Sequence, residues 1–207
     1  MSEYILETIT HKQHTIEILP DEDAENPRND ENVGTMICFH SRYTLGDKHN
    51  YTDADDLHSR LSADFGDSPI VLPLYLYDHG GITMRCSSFS CSWDSGQVGY
   101  IVCSRKKAIY EWGKNRFTKA IQKKAVSYMQ SEVSSYDLYL TGGYVGFRIK
   151  DKSDTIIDSC WGFDDQSYAI KEAKSIIDYT VKSAWEKRQK LLKSFIKNHV
   201  PLYARSF

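Results

Sequence analysis

The order of apolar and polar positions divides the 207-residue chain into two kinds of segment. Short apolar runs bounded by turn residues occupy Tyr4–Ile9, Thr15–Leu19, Val33–His40, Ile70–Tyr77, Ile82–Cys86, Val98–Cys103, Tyr144–Lys150 and Thr155–Cys160, and predict strands. Apolar residues at helical spacing occupy Asp53–Ala63, Ser104–Trp112, Arg116–Tyr136 and Gln166–Asn198, and predict helices. Three of these helices begin at a residue able to cap them: Thr52 or Asp53, Ser104, and Asp164 or Asp165 for the last. Leu138–Leu140 reads as the start of a further strand before Gly142-Gly143.

The stretch Val71–Cys103 organises the rest. Its first strand ends at Asp78-His79-Gly80-Gly81, a good turn because glycine adopts positive φ without steric penalty. Pro73 cannot donate to a ladder, which places it near a strand start or at an edge. Two more strands follow, separated by a small-residue loop over Ser87–Gln97. The expected fold is α+β: an antiparallel or mixed sheet centred on a meander at 70–103, with helices packed on it and a long C-terminal helix. A chain of this length is read as a single domain, 1–207.

The last helix runs some thirty residues, which at 1.5 Å per residue is about 50 Å, longer than such a domain is wide. Part of it is expected to project, with Tyr179, Trp185, Leu192 and Phe195 as a partner or homodimer surface. The competing expectation is that it bends and packs on its own sheet.

Charge changes the picture, because the net value of −2 conceals a division. Residues 1–67 carry 15 acids and 5 bases, whereas residues 68–207 carry 13 acids and 21 bases. Such asymmetry marks either a charged partner or two halves that attract one another. The loop Pro20–Asn32 holds Asp21, Glu22, Asp23 and Glu25. It fails as an EF-hand because Asn26 and Asn32 stand where glycine and glutamate are needed. It reads as a solvated acidic loop, or as a mimic of nucleic acid toward a basic partner. Arg105, Lys106, Lys107, Lys114, Arg116, Lys119, Lys123 and Lys124 accompany one acid, Glu111. This run is a solvated helix face or, alternatively, a track along a phosphate backbone.

No basic region followed by an apolar one opens the chain, and no apolar stretch is long enough to span a membrane. With five cysteines, an odd number, reduced thiols are expected. Candidate chemistry is sparse. Asp78, His79, Asp94 and Ser95 would converge at one sheet end, but Ser95 does not sit in a Gly-x-Ser-x-Gly elbow. The alternative is purely structural, with Trp93 folded back as a lid on the core; in a binding loop Trp93 instead joins the partner-binding residues, with the acidic loop and the last helix. His40, Asp47 and His49 have metal-capable side chains whose spacing matches no ligand pattern. No cofactor is expected.

Tyr75–Met84 (YLYDHGGITM) and Phe89–Gly99 (FSCSWDSGQVG) resemble motifs of a protein family of tailed bacteriophages and prophages, as do Gly34–Tyr43, Asp137–Gly142 and Asp158–Phe163. Ser92 departs from the proline that the family pattern leads one to expect. The resemblance implies a phage product working in a bacterial cytoplasm, and it implies no particular activity. Three readings result. The first is an accessory protein that binds a host protein, such as a nuclease or other component of anti-phage defence. The second is a nucleic-acid binder using the basic helices, and the third an enzyme built around Asp78, His79 and Asp94.

Overall fold

The computed structural model describes residues 4–201. In chain order its elements are β1 (Glu7–His11), β2 (His14–Pro20), β3 (Thr35–Cys38), α1 (Ala54–Phe65), β4 (Ile70–Asp78), β5 (Ile82–Arg85), β6 (Ser95–Cys103), α2 (Arg105–Glu111), α3 (Lys119–Leu140), β7 (Val145–Lys150), β8 (Ile156–Phe163) and α4 (Gln166–His199). The fold is α+β with two four-stranded antiparallel sheets. The chain divides into two compact units, one made of the segment up to Glu22 together with the segment from Tyr144, the other of Asp23–Gly143.

In the first unit the strand order is β1-β2-β7-β8. A two-residue turn joins β1 to β2, with Lys12 and Gln13 both at positive φ (46° and 65°), as the twist of a tight hairpin demands. Ile16, Ile18, Val145, Phe147 and Ile149 alternate along β2 and β7 and form one apolar face. Helix α4 lies on that face through Ala169, Ala173 and Ile177, and the two alanines let it approach closely. Polar contacts fix both ends of the seated part. Gln166 donates to Glu7 at 2.6 Å, and Asp178 pairs with His11 at 2.6 Å and Lys12 at 2.9 Å. Beyond Ile177 no described residue of α4 is buried, although the helix continues for about 30 Å.

In the second unit the order is β3-β6-β4-β5. The sheet is covered on both faces, which is why its strands are apolar on both sides. Met36, Leu74, Leu76, Met84 and Ile101 pack with Ile121, Ala125, Met129, Val133 and Tyr136 of α3. Ile37 and Val102, one residue out of phase, pack with Leu57 of α1. Gly99 is required where β6 passes β3, since a Cβ there would collide with the Ile37 carbonyl oxygen.

Several expectations change. The 70–103 segment forms the middle of its sheet, but β6 returns beside β4 instead of β5. Pro73 lies in β4 at a point where only β6 is alongside, because β5 pairs from Tyr75 onward; it is locally at an edge. β6 starts at Ser95, within the segment expected to be loop, and β1 starts at Glu7 instead of Tyr4. Leu138–Leu140 belongs to α3, where Tyr139 stacks on Tyr136, and does not open a strand. The charge division of the sequence also dissolves: the first unit has 13 acids and 13 bases, the second 15 and 13. Neither unit is strongly charged as a body, so charge acts through local patches.

Candidate functional site

The end of the second sheet where β4 stops and β6 starts gathers the residues singled out for chemistry. The Asp78 N–H donates to the Asp94 carbonyl at 2.8 Å, which fixes the turn against the start of β6. Gly80 takes φ 73° and lets the His79 N–H reach the Gly81 carbonyl at 3.1 Å. His79 Nδ1 then lies 3.2 Å from Asp94 Oδ2. Asp78 is paired with Arg42, whose guanidinium also donates to the Tyr43 hydroxyl at 3.0 Å. Two carboxylates are thus answered by one guanidinium and one imidazole.

Ser95 is not placed to act as a nucleophile with this pair. The Ser95 hydroxyl donates to the Cys91 carbonyl, and among the described residues no hydrogen bond joins it to His79. The His79 side chain is 70% exposed, so nothing excludes water from the pair. The Cys91 thiol donates to Asp94 Oδ2 at 3.7 Å, the same oxygen that faces His79. The cluster is a charged, hydrated surface. Beside it Trp93 is 95% exposed, which overturns the expectation of a lid on the core. An indole held in solvent is surface available to a partner.

His40, Asp47 and His49 do not form a ligand set. His40 Nδ1 accepts the Arg42 and Tyr43 N–H groups, each at 3.2 Å. Asp47 is engaged by Arg28 and by the Met36 N–H. His49 Nε2 meets the Cys38 carbonyl at 3.0 Å, and its buried Nδ1 has no hydrogen-bond partner among the described residues. Among the described residues no three His, Cys, Asp or Glu side chains are grouped to hold a metal.

The acidic loop is less of a solvated loop than its composition suggests. Glu22, Asp23 and Glu25 are exposed, but Asp21 accepts the Gly162 N–H at 2.9 Å. Asp21 and Glu22 belong to the first unit, Asp23 and Glu25 to the second. A 3-10 turn at Pro27–Asn29, capped by Asn26, drives Arg28 into the interior of the second unit. There it meets Asp47 and Glu132, and Glu132 in turn accepts the Val33 and Gly34 N–H groups at 2.5 and 3.0 Å. Sequence reasoning missed this network, whose signal was a glutamate within the core stripe of α3, between Met129 and Tyr136. Asp137, also missed, ties α3 to β5 by accepting from the Thr83 hydroxyl and the Met84 N–H.

All eight basic residues are exposed, and they differ in their contacts. Arg105 lies over the Phe117 ring, and Lys107 donates to the Asn32 carbonyl at 2.5 Å. Lys106, Lys119 and Lys123 are exposed on α2 and α3, whereas Lys114, Arg116 and Lys124 surround a cavity between those helices.

In the first unit Tyr179, Trp185, Leu192 and Phe195 are all exposed, together with Val181 and Leu191. The competing expectation, that the helix bends to cover them, is not met; α4 runs unbroken from Gln166 to His199. Among the described residues no helix is long and apolar enough to cross a membrane. Comparison with known protein families, curated proteins and solved structures gave no match.

Proposed function

We propose that this protein acts by binding another protein, as a phage-encoded accessory protein that engages a host bacterial protein, such as a component of anti-phage defence, in the host cytoplasm. The observation that carries this reading is the distal half of α4. It keeps large apolar side chains at helical spacing, with Trp185 62% exposed, over a length that has no core beneath it. The phage family motifs support the biological setting.

The helix itself describes the partner. At 100° per residue, Val181, Ala184, Trp185, Leu191, Leu192, Phe195 and Ile196 fall on one arc, interrupted by Arg188 and His199. Lys182, Lys187, Lys190, Lys193 and Lys197 fall on the opposite side, accompanied by Glu186. The apolar arc continues the azimuth of Ala173 and Ile177. A partner groove with an apolar floor and an acidic rim complements this helix. A second copy of the same helix is the alternative occupant, since two apolar arcs packed together leave both basic faces turned outward.

The test is affinity capture from nuclease-treated bacterial lysate, run in parallel with wild-type protein and a Trp185→Glu/Phe195→Glu variant whose helix content is checked by circular dichroism. One stoichiometric protein held by the wild type and lost by the variant supports the reading. Equal recovery by both, or recovery only of nucleic-acid proteins that nuclease removes, would overturn it.

A further inference from the structure

The second unit carries a cavity of about 410 Å³ between the end of α2 and the start of α3, within the size range of small-molecule sites. Local geometry makes it. α2 ends at Glu111, Gly113 turns the chain at φ 56°, and Thr118 restarts it by capping α3 through the Ile121 N–H. Trp112 and Ile121 give the cavity apolar surface, and Trp112 is held edge-on against Tyr128 with ring centroids 6.4 Å apart.

Lys114, Arg116 and Lys124 stand around this apolar surface. No carboxylate lines the cavity, and none of the three cations is in an ion pair among the described residues. The first turn of α3 has no acidic residue either, so the helix end adds to the positive potential. Three exposed cations around one recess give it a positive potential that favours an anion. Solvated surface lysines alone would not require an apolar recess beside them.

We infer that this cavity binds a phosphate monoester carrying a flat aromatic group. Arg116 offers a planar fork that suits two phosphate oxygens, and the two lysines neutralise the remaining charge. The aromatic body replaces water against Trp112 and Ile121. A nucleoside monophosphate and a simple aryl phosphate share this chemistry.

The experiment is a titration of uniformly 15N-labelled full-length protein with AMP, and separately with 1-naphthyl phosphate, followed by amide correlation spectra. Naphthalene-1-methanol serves as the uncharged control. The expected result is saturable shifts confined to the Trp112–Lys124 amides and the Trp112 indole, with no saturation by the control. Saturation by both phosphates supports a general aryl-phosphate site, and saturation by AMP alone identifies a nucleotide site. Arg116→Gln/Lys124→Gln should weaken binding on the order of tenfold or more while leaving the remaining spectrum in place. Absence of saturation by either phosphate in the millimolar range, shifts spread over the basic surface, or undiminished binding by the variant would overturn the inference.

Discussion

The Arg28 guanidinium grips both carboxylate oxygens of Asp47, Nε to Oδ1 at 2.8 Å and Nη2 to Oδ2 at 2.6 Å, with only 3% of its side chain exposed. It also lies 3.4 Å from Glu132 and donates to the Gly34 carbonyl at 2.7 Å. One cation therefore balances two carboxylates and fastens the Pro27–Asn29 turn to the backbone entering β3, to the Asp47 loop and to α3. Arg28→Met removes the cation and leaves Asp47 and Glu132 uncompensated, at an expected loss of about 3–5 kcal/mol in urea unfolding. Arg28→Lys should recover only part of this, because an ammonium cannot reproduce the two-point grip. A loss below about 0.5 kcal/mol for Arg28→Met would contradict the assigned role.

The two halves of α4 should respond differently to truncation. Ile177 is fully buried against β2 and β7, so Ile177→Ala should cost about 2–5 kcal/mol. Leu191 is exposed, and Leu191→Ala should stay within about 0.5 kcal/mol of wild type. Denaturant unfolding of the pair measures the contrast. A large loss at Leu191 would mean that the distal half is packed in solution.

Asp178 gives the seated half of α4 an acid-sensitive contact. The Lys12 ammonium first, and then His11, hold its carboxyl below the usual range. A carboxyl whose pKa is lower in the folded state adds stability above its unfolded pKa and loses it as pH falls through the folded value. Asp178→Asn should therefore be less stable than wild type at neutral pH, with the difference fading in strong acid. Thermal unfolding of both proteins across the acid range is the check, and a difference that grows toward low pH would contradict it.

The cysteines should separate by reactivity. Burial, reinforced by the Asp47 charge, pushes the Cys38 thiol up to about 12, and burial pushes Cys103 up to about 11. Cys160 is exposed. A maleimide at neutral pH should label Cys160 in the folded protein and reach Cys38 and Cys103 only after denaturation, because the thiolate is the reacting form. Peptide mass spectrometry reads the order, and early labelling of Cys38 would overturn it.

Much of this fold was legible because local signals agreed with one another. The caps at Asp53, Ser104 and Asp165 all form, and most strands lie within a few residues of their apolar runs. Pairing was not legible, since the alternation of β6 is equally compatible with β4 or β5 as neighbour. The first unit was not legible either, because its β2 and β7 are separated by more than a hundred residues and meet only in space. At the sheet end, the turn grammar brought out Asp78 and His79, and Asp94 joined them as expected. Trp93 stayed open between a lid and a binding residue, because an indole in a small-residue loop has the same pattern whether it folds inward or outward. The length of α4 raised the question of projection but left it open against bending; the exposure of Trp185, Leu191, Leu192 and Phe195 favours the former.

The measurement that tests the central claim most directly is site-specific photocrosslinking from the distal face of α4. A benzophenone amino acid at Leu192, irradiated in bacterial lysate, should yield one discrete adduct with a protein other than this one. The same probe at Lys190, on the basic side, should yield that adduct weakly. Adducts with the chain itself alone, or none above background at Leu192, would contradict the account.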